Sequence, residues 1–404
     1  DMLINDRGVY IDDKLCRSAE KIVEDSMERL DAEMHRVTGG EVAGCANVVG
    51  LIKFLQANGI QTDSVDREHI EDLLIRDDLP PACRKALELR QEGSKTSTAK
   101  IAAMLRRRQA DGRMRGNLQF YGASATGRWA ARGAQLQNLT RPKILGDKQS
   151  EDTPIDDQIE QAIDYIHRGS SVAIEIAYGQ PLTLIADCVR SMVCAPPGHL
   201  LRSSDFSNIE GRAVAWLAGQ DDKLDAFRAY DNKTGPDLYL VAAAGIYNVP
   251  IDQAKPHRQI GKVAELSLGY QGGPRAFAKM SKNYGVRIAK LHGPIWEMAN
   301  PDHKEKALAA WDERGRKTGM SEEGWLASEV IKLAWRAKNW RIEQYWREVE
   351  DAAIDAVARP GEITTAGKVR FRKAGSFLFC MLPSGRGLCY PYPRLKEVET
   401  PWGE

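Results

Sequence analysis

Apolar residues recur at helical spacing over residues 13–38, where Leu15, Ile22, Val23, Met27, Leu30 and Met34 stand among charges. This predicts a long helix that Gly39-Gly40 ends. Shorter helices are predicted over 48–58, 65–74 and 81–92, the last opened by Pro81 at a first-turn position and closed by Gly93. A polar loop over 93–98 leads into a basic helix at 99–108, so the first third reads as a helical arm. From 113 to 139 the apolar runs are short and broken by Gly116, Gly122, Gly127 and Gly133, the pattern of strands and turns. Helix returns over 151–191, with Ile155, Ile159, Ile163 and Ile166 on one face and a second helix ending near Met192. After the turn Pro196-Pro197-Gly198, a strand is predicted over 198–206, with Asp205 where it stops. Helices follow at 210–218, 236–247, 256–268 and 323–357. Residues 362–392 alternate β-type residues across Gly375 and Gly385, the pattern of a small sheet.

Length adds the expectation of two or three substructures, because 404 residues at 43% hydrophobic bury a substantial core. No run of about eighteen apolar residues occurs, and residues 1–7 lack the basic-then-apolar order of an export signal. Membrane and export readings drop out, and a cytoplasmic location is expected. The seven cysteines are odd in number and contain no Cys-x-x-Cys pair, which argues for reduced core residues over disulfides or structural zinc. The sequons at Asn138 and Asn232 are then chance matches. Residues 361–368 have one residue too many for a phosphate loop and end before Val369.

Net charge is only +1, yet its distribution is uneven. Over residues 104–143 the basic residues Arg106, Arg107, Arg108, Arg113, Arg115, Arg128, Arg132, Arg141 and Lys143 face Asp111 alone. Phe120, Tyr121, Trp129, Gln135, Gln137 and Asn138 are interleaved with them, the mixture that neutralises a phosphate backbone and reaches into a groove. A solvated basic helix face is the plain alternative.

Two segments carry candidate chemistry. A carboxylate at a strand end followed directly by a helix, as at Asp205, is a way to hold a hard divalent cation beside phosphate. A helix N-cap is the plainer reading of the same residue. The second segment runs from Arg258 to Tyr270. On a helix, Arg258, Lys262, Glu265 and Leu266 share one broad face, with Tyr270 one step round. Two cations one turn apart at a positive helix end suit a polyphosphate, and the continuation of the face into Leu266 and Tyr270 suits a nucleotide laid along it.

With these residues in view, the chain resembles the family A (DNA polymerase I-like) DNA polymerases, of the phage type. Asp205-x4-Glu210-x-Arg212 is similar to motif A, and Arg258-x3-Lys262-x7-Tyr270 to motif B. Thr126-Gly127-Arg128 with Leu136-Gln137-Asn138-Leu139 resembles an upstream segment, and 382–388 a palm segment. The resemblance implies an α+β right-hand fold, with a helical thumb over 1–116, the first palm part over 117–212, fingers over 213–357 and palm return strands over 358–404. It implies two Mg²⁺ ions held by Asp205 and the Phe206 carbonyl, and triphosphate binding by Arg258 and Lys262, with Lys262 protonating the leaving pyrophosphate. Glu210 would exclude a 2′-hydroxyl, Tyr270 would lie near the templating base, and Leu266 and Tyr239 would complete the nucleotide site. Arg128, Gln137, Asn138, Arg212 and Arg386 would contact DNA. The implied partners are primer-template DNA and deoxynucleoside triphosphates, for a monomer that works with accessory replication proteins.

Four departures qualify this. Leu266 stands where the family has an aromatic residue, Tyr239 where it has His, and Gln271 where it has Gly. No His-Asp-Glu hairpin is present; Asp312-Glu313 and Glu350-Asp351 lie in polar helical settings. The expectation is therefore a palm incomplete at its C-terminal side and no proofreading segment upstream. A primer-template binding fragment without catalysis, and a single-subunit RNA polymerase, are the alternatives; Glu210 counts against the latter.

Overall fold

The computed structural model describes residues 1–94, 98–124, 126–140, 142, 144–145 and 154–396. Two compact units form, Asp1–Ser203 and Ser204–Glu404. The first runs α1 Met2–Arg7, β1 Val9–Tyr10, α2 Asp13–Val37, α3 Val48–Ala57, α4 Arg67–Leu74, α5 Pro81–Gly93, α6 Ala99–Arg107, β2 Arg113–Met114, β3 Leu118–Ala123, β4 Arg128–Ala131, α7 Ile155–Arg168, α8 Ser171–Tyr178 and α9 Pro181–Cys188. The second runs α10 Ile209–Ala218, α11 Asp221–Asp231, α12 Leu238–Tyr247, α13 Arg258–Leu268, α14 Pro274–Asn283, α15 His292–Met298, α16 Pro301–Glu313, α17 Glu322–Lys338, α18 Trp340–Ala358, β5 Ile363–Ala366, β6 Val369–Ala374, β7 Phe377–Met381 and β8 Gly387–Pro391. Helices with small antiparallel sheets make this an α+β protein.

The spine of the first unit is α2. Asp12 caps it by accepting the Leu15 amide at 2.9 Å, and its apolar stripe then serves two cores. Leu15, Cys16, Ala19 and Ile22 pack with Ile101, Met104, Ile166 and Leu184. About three turns further on, Met34 joins Leu51, Leu55 and Leu87 in a separate cluster. Five cysteines are buried, as the expectation of core residues requires, while Cys194 is half-buried and Cys389 exposed; all seven are free thiols. Burial pushes the Cys16 and Cys188 thiols up to about 12.

In the second unit α17 is the central helix. Trp325, Val330 and Ile331 are buried along it, and the core they enter includes Tyr247, Val263 and Phe277. Each such fully buried large side chain stabilises the fold by about 1.5–3 kcal/mol. The expected small sheet is present, antiparallel in the order β5-β6-β7-β8, and lays Val369, Phe371, Leu378 and Cys380 against Ala352 and Ala356 of α18.

Three expectations need correction. Residues 198–206 do not form a strand: among the described residues nothing pairs with them, and Leu200 (86% exposed), Leu201 and Phe206 stand in solvent. Alternation favours an extended chain, but a strand also needs a neighbour to accept its amides. The single helix expected over 323–357 is broken at Asn339, whose Nδ2 donates to the Trp335 carbonyl at 2.8 Å. The helical stretch expected over 151–191 is three helices with a 3-10 turn, Val189–Met192; residues 151–153, like 95–97 of the polar loop, lie outside the described residues. Among the described residues no single helix is long and apolar enough to cross a membrane.

One glycine sets a critical distance. A Cβ on Gly261 of α13 would stand 2.0 Å from the Tyr239 carbonyl oxygen and 2.8 Å from the Ala243 nitrogen, so only glycine lets α12 and α13 cross this closely. Gly261→Ala is expected to destabilise the protein by about 1–3 kcal/mol through overpacking, read as a lower urea midpoint. An unchanged midpoint would mean that the two helices do not touch there in solution.

Candidate functional site

The first segment ends in a tight reversal. Asn208 takes φ 50° and ψ 43°, a left-handed conformation that Asn tolerates, and so turns the exposed chain into α10. Asn208, not Asp205, holds the N-cap position, so the N-cap reading of Asp205 does not stand. Asp205 and Phe206 are exposed on the segment before it, and Glu210 is exposed in the first turn of α10. Arg212 is turned to a structural task. Its two terminal nitrogens each donate to Asp231 at 2.7 Å, its Nε donates to the Ser207 carbonyl at 2.8 Å, and its guanidinium lies 4.5 Å from the Phe227 ring centre.

The second segment is a helix two residues shorter than expected. Pro256 lies in a 3-10 turn, Lys255–His257, and α13 begins at Arg258 with no side-chain cap on its first amides. The ring of His257 is occupied by stacking on Tyr247 at 3.8 Å. Arg258 donates through Nε to Asp237 Oδ2 at 2.5 Å and lies 5.2 Å from the Tyr239 ring centre. The other Asp237 oxygen accepts the Tyr239 amide at 2.9 Å. Burial first, and then the Asp237 charge, raise the Tyr239 hydroxyl above the ordinary tyrosine range, so it stays a neutral donor. One turn on, Lys262 Nζ lies 4.9 Å from the Tyr284 ring centre. Gln271, two residues beyond the C-cap Gly269, takes φ 61°. Glycine would adopt that left-handed geometry without strain, and glutamine adopts it here at a cost of about 1 kcal/mol.

Between α10 and the end of α13 lies a cleft of about 290 Å³, lined by Asn208, Glu210, Val214, Leu266, Tyr270 and Trp346 among others. The fold thus brings Glu210 of the first segment to Leu266 and Tyr270 of the second. The cleft wall is held by a buried polar cluster that the sequence did not announce. Lys223 of α11 donates to both oxygens of Glu265, at 3.0 and 2.8 Å, and to Asn339 Oδ1 at 2.7 Å. Trp335 Nε1 donates to Glu265 Oε1 at 2.8 Å. The Lys223 and Glu265 side chains are 9% and 6% exposed. Trp335 and Trp346 lie far from either segment in sequence, and Lys223, although close after the first segment, takes its role from Glu265, 42 residues on, so no local pattern could have found them; Asn208 lay inside the first segment without a role.

The other expected residues are elsewhere. Arg128 opens β4, and Gln137 and Asn138 form a 3-10 turn, Leu136–Asn138, all three exposed in the first unit. The Asn138 carbonyl accepts a hydrogen bond from Lys100. The basic stretch is smaller than its count. Arg107 donates to the Gly116 carbonyl, Arg115 to Asp111 and the Asp6 carbonyl, and Arg108 pairs with Asp13, while Arg141 and Lys143 lie outside the described residues. Arg386 sits in the turn from β7 to β8, whose carbonyl accepts the Leu382 amide at 2.8 Å. Asp312-Glu313 and Glu350-Asp351 are helical, in α16 and α18. Among the described residues no three His, Cys, Asp or Glu side chains gather closely enough to share a metal ion. The two-ion Mg²⁺ site that the resemblance implies is therefore not made up by the described residues; Asp205 offers one carboxylate.

A cleft with a carboxylate helix on one side and a cation-bearing helix on the other defines a candidate nucleotide site. Comparison with known proteins agrees with the resemblance. The chain is 34% identical over 408 residues to the DNA polymerase of Bacillus phage SP02, an alignment covering all of this chain and 54% of that polymerase. It is 36% identical over 99 residues to DNA polymerase I of Pseudomonas aeruginosa, covering 24% of this chain and 10% of that protein. The polymerase domain of Pol1 from M. smegmatis, solved in complex with DNA primer-template and dNTP, aligns at TM-score 0.46 and 17% identity, covering 87% of this chain and 58% of that one. No protein-family model matches. Along its whole length the chain is thus similar to a phage DNA polymerase, and over 99 residues to a DNA polymerase I, and it spans about half the length of the SP02 polymerase.

The buried cluster yields a prediction. Lys223→Met leaves the Glu265 charge buried without its cation and is expected to cost about 3–5 kcal/mol in urea unfolding. The double change Lys223→Met with Glu265→Leu should recover most of that loss; a double variant as unstable as the single one would show that the pair itself is not the cause.

Proposed function

We propose that this chain forms the polymerising part of a template-directed DNA polymerase, which adds deoxynucleoside triphosphates to a primer 3′-hydroxyl. The observation that carries the reading is the cleft in which Glu210 meets Leu266 and Tyr270, at the end of the helix whose N-terminal half bears Arg258 and Lys262. Whole-length relationship to a phage DNA polymerase supports it. In this reading residues 1–116 are the thumb, 117–212 and 358–404 the palm, and 213–357 the fingers.

Each side chain then has a task that its surroundings permit. Arg258 uses only Nε on Asp237, which leaves its terminal nitrogens to fork onto phosphate oxygens. Lys262, held over a ring rather than by a carboxylate, would neutralise the triphosphate and give a proton to the departing pyrophosphate. Glu210 would lie against the sugar and oppose a 2′-hydroxyl by charge and size. Leu266 gives an apolar surface without the stacking that an aromatic residue would offer. Tyr239 would donate as a neutral phenol. Arg128, Gln137, Asn138 and Arg386 would contact the DNA duplex, and Arg212 only by giving up Asp231. Two Mg²⁺ ions belong to the proposal, with Asp205 and the Phe206 carbonyl as the ligands this chain contributes.

Primer extension by the whole protein with Mg²⁺ tests the reading. Asp205→Asn and Lys262→Ala are each expected to lower kcat about 100-fold or more. Glu210→Ala should retain extension with deoxynucleotides and raise ribonucleotide incorporation. Full extension by Asp205→Asn would remove that carboxylate from the chemistry, and unchanged sugar selectivity in Glu210→Ala would remove Glu210 from the sugar site.

A further inference from the structure

The sheet β5–β8 buries one face and leaves the other open, and its register sorts the residues between them. On the side packed toward α18, Thr364, Phe371, Cys380 and Leu388 stand in line across the strands. The neighbouring line on the open side is Ile363, Arg372, Phe379 and Cys389. Two residues along, Thr365, Arg370 and Met381 repeat it. Arg370 and Arg372 therefore project from one face about 7 Å apart, each with an apolar or aromatic side chain directly across the strand. An open groove of about 610 Å³ runs over this face and also takes in Lys368.

The charge on this sheet is one-sided. Residues 363–396 contain no Asp or Glu, against Lys368, Arg370, Arg372, Lys373, Arg386, Arg394 and Lys396. Among the described residues neither Arg370 nor Arg372 pairs with a carboxylate; Arg372 Nε donates to the Gly361 carbonyl at 3.1 Å, which fixes its stem and leaves its terminal nitrogens outward. Apolar groups are exposed between the cations: Phe377 is 40% and Met381 38% exposed, and Phe379 is half-buried 6.2 Å from Phe377. An acidic protein partner would suit the charge but not flat rings set among the cations. A DNA duplex would suit the charge but hides its base faces. A polymer with regular negative charge and accessible π-faces is single-stranded nucleic acid.

We propose that the open face of this sheet binds single-stranded nucleic acid, with Arg370 and Arg372 on backbone phosphates and Phe379 as a platform for a base. The inference rests on the proposed function only for the identity of that strand as a template; the binding itself requires no polymerisation. The test is fluorescence anisotropy of a labelled oligothymidylate on the order of a dozen nucleotides, titrated with the whole protein without primer, nucleotide or divalent cation. Arg370→Ala with Arg372→Ala should lower the slope of log affinity against log salt by about 1.4, two phosphate contacts for a single strand. Phe379→Leu should weaken binding about 5-fold or more at unchanged slope, Phe379→Tyr should retain it, and blunt duplex binding should not respond to Phe379→Leu. Unchanged affinity and slope in these variants would overturn the proposal. So would equal losses on single strand and duplex, which would reduce the face to a general anion patch, or equal losses in the Leu and Tyr variants, which would exclude stacking. Because no synthesis takes place, a failed extension assay leaves this result untouched, and the reverse also holds.

Discussion

The candidate nucleotide site depends on one buried ion pair. Glu265 lies three residues after Lys262 and one before Leu266, so holding its carboxylate inward fixes the rotation of α13 about its axis. At about 100° per residue, that rotation decides which side chains reach the cleft. Lys223 brings α11 to the carboxylate and Trp335 brings α17, while Lys223 also donates to Asn339 at the joint between α17 and α18. Gln220 fastens the same joint from the other side: its Nε2 donates to the Lys338 carbonyl at 2.9 Å, and its Oε1 accepts the Ile342 amide at 3.3 Å. An apolar cluster of equal volume could stabilise the unit as well, since desolvation offsets most of the Coulomb gain. What greasy packing would not supply is a single rotational setting. A slip of one residue in α13 would replace Leu266 on the cleft wall with Ser267, which is buried about 100° round the helix.

Much of this was legible locally, and the exceptions share a cause. The periodic helices, the capped start of α2 and the terminal sheet follow from patterns contained within about 25 residues, and the sequence displays them. The break at Asn339 does not, because the apolar period continues through Trp340, and the side chain that disrupts it answers to Lys223, more than a hundred residues upstream. The segment before Asp205 alternates well enough to read as a strand, yet pairing is a property of two segments, and only one of them can be seen in a local pattern. The site behaves likewise. Residue types at helical spacing pointed to Arg258, Lys262 and Leu266, while the convergence of Glu210 with Leu266, and the Lys223 and Trp335 supports, arise only in three dimensions.

Counting charge has the same weakness in another form. The arginine-rich stretch before residue 143 promised a large basic field, and much of it is spent inward: Arg107, Arg113 and Arg115 reach backbone carbonyls of the first unit, as arginine's five donors allow. A count registers sign and misses direction. The terminal sheet carries fewer cations, but strand alternation sets Arg370 and Arg372 outward and no acid stands among them, so a smaller count leaves more usable field.

The cations of the second unit can be ranked by how firmly each is held, and the ranking bears on the proposed chemistry. Arg212 has all three of its donor nitrogens engaged and a ring beneath it, which makes it a clamp between α10 and α11. Arg258 is half-engaged, through one nitrogen on a carboxylate near the surface, and exposed pairs of that kind contribute about 0–1 kcal/mol. Lys262 rests on an aromatic face, and among the described residues it pairs with no carboxylate. An incoming polyphosphate would therefore meet little competition for Lys262, modest competition for Arg258 and strong competition for Arg212. On α13 itself the looser cation, Lys262, is the one nearer the cleft residue Leu266. A helix that holds its cations loosely and its rotation tightly, through Glu265, would in the proposed reading bind and release an anion many times without losing the face that carries Leu266.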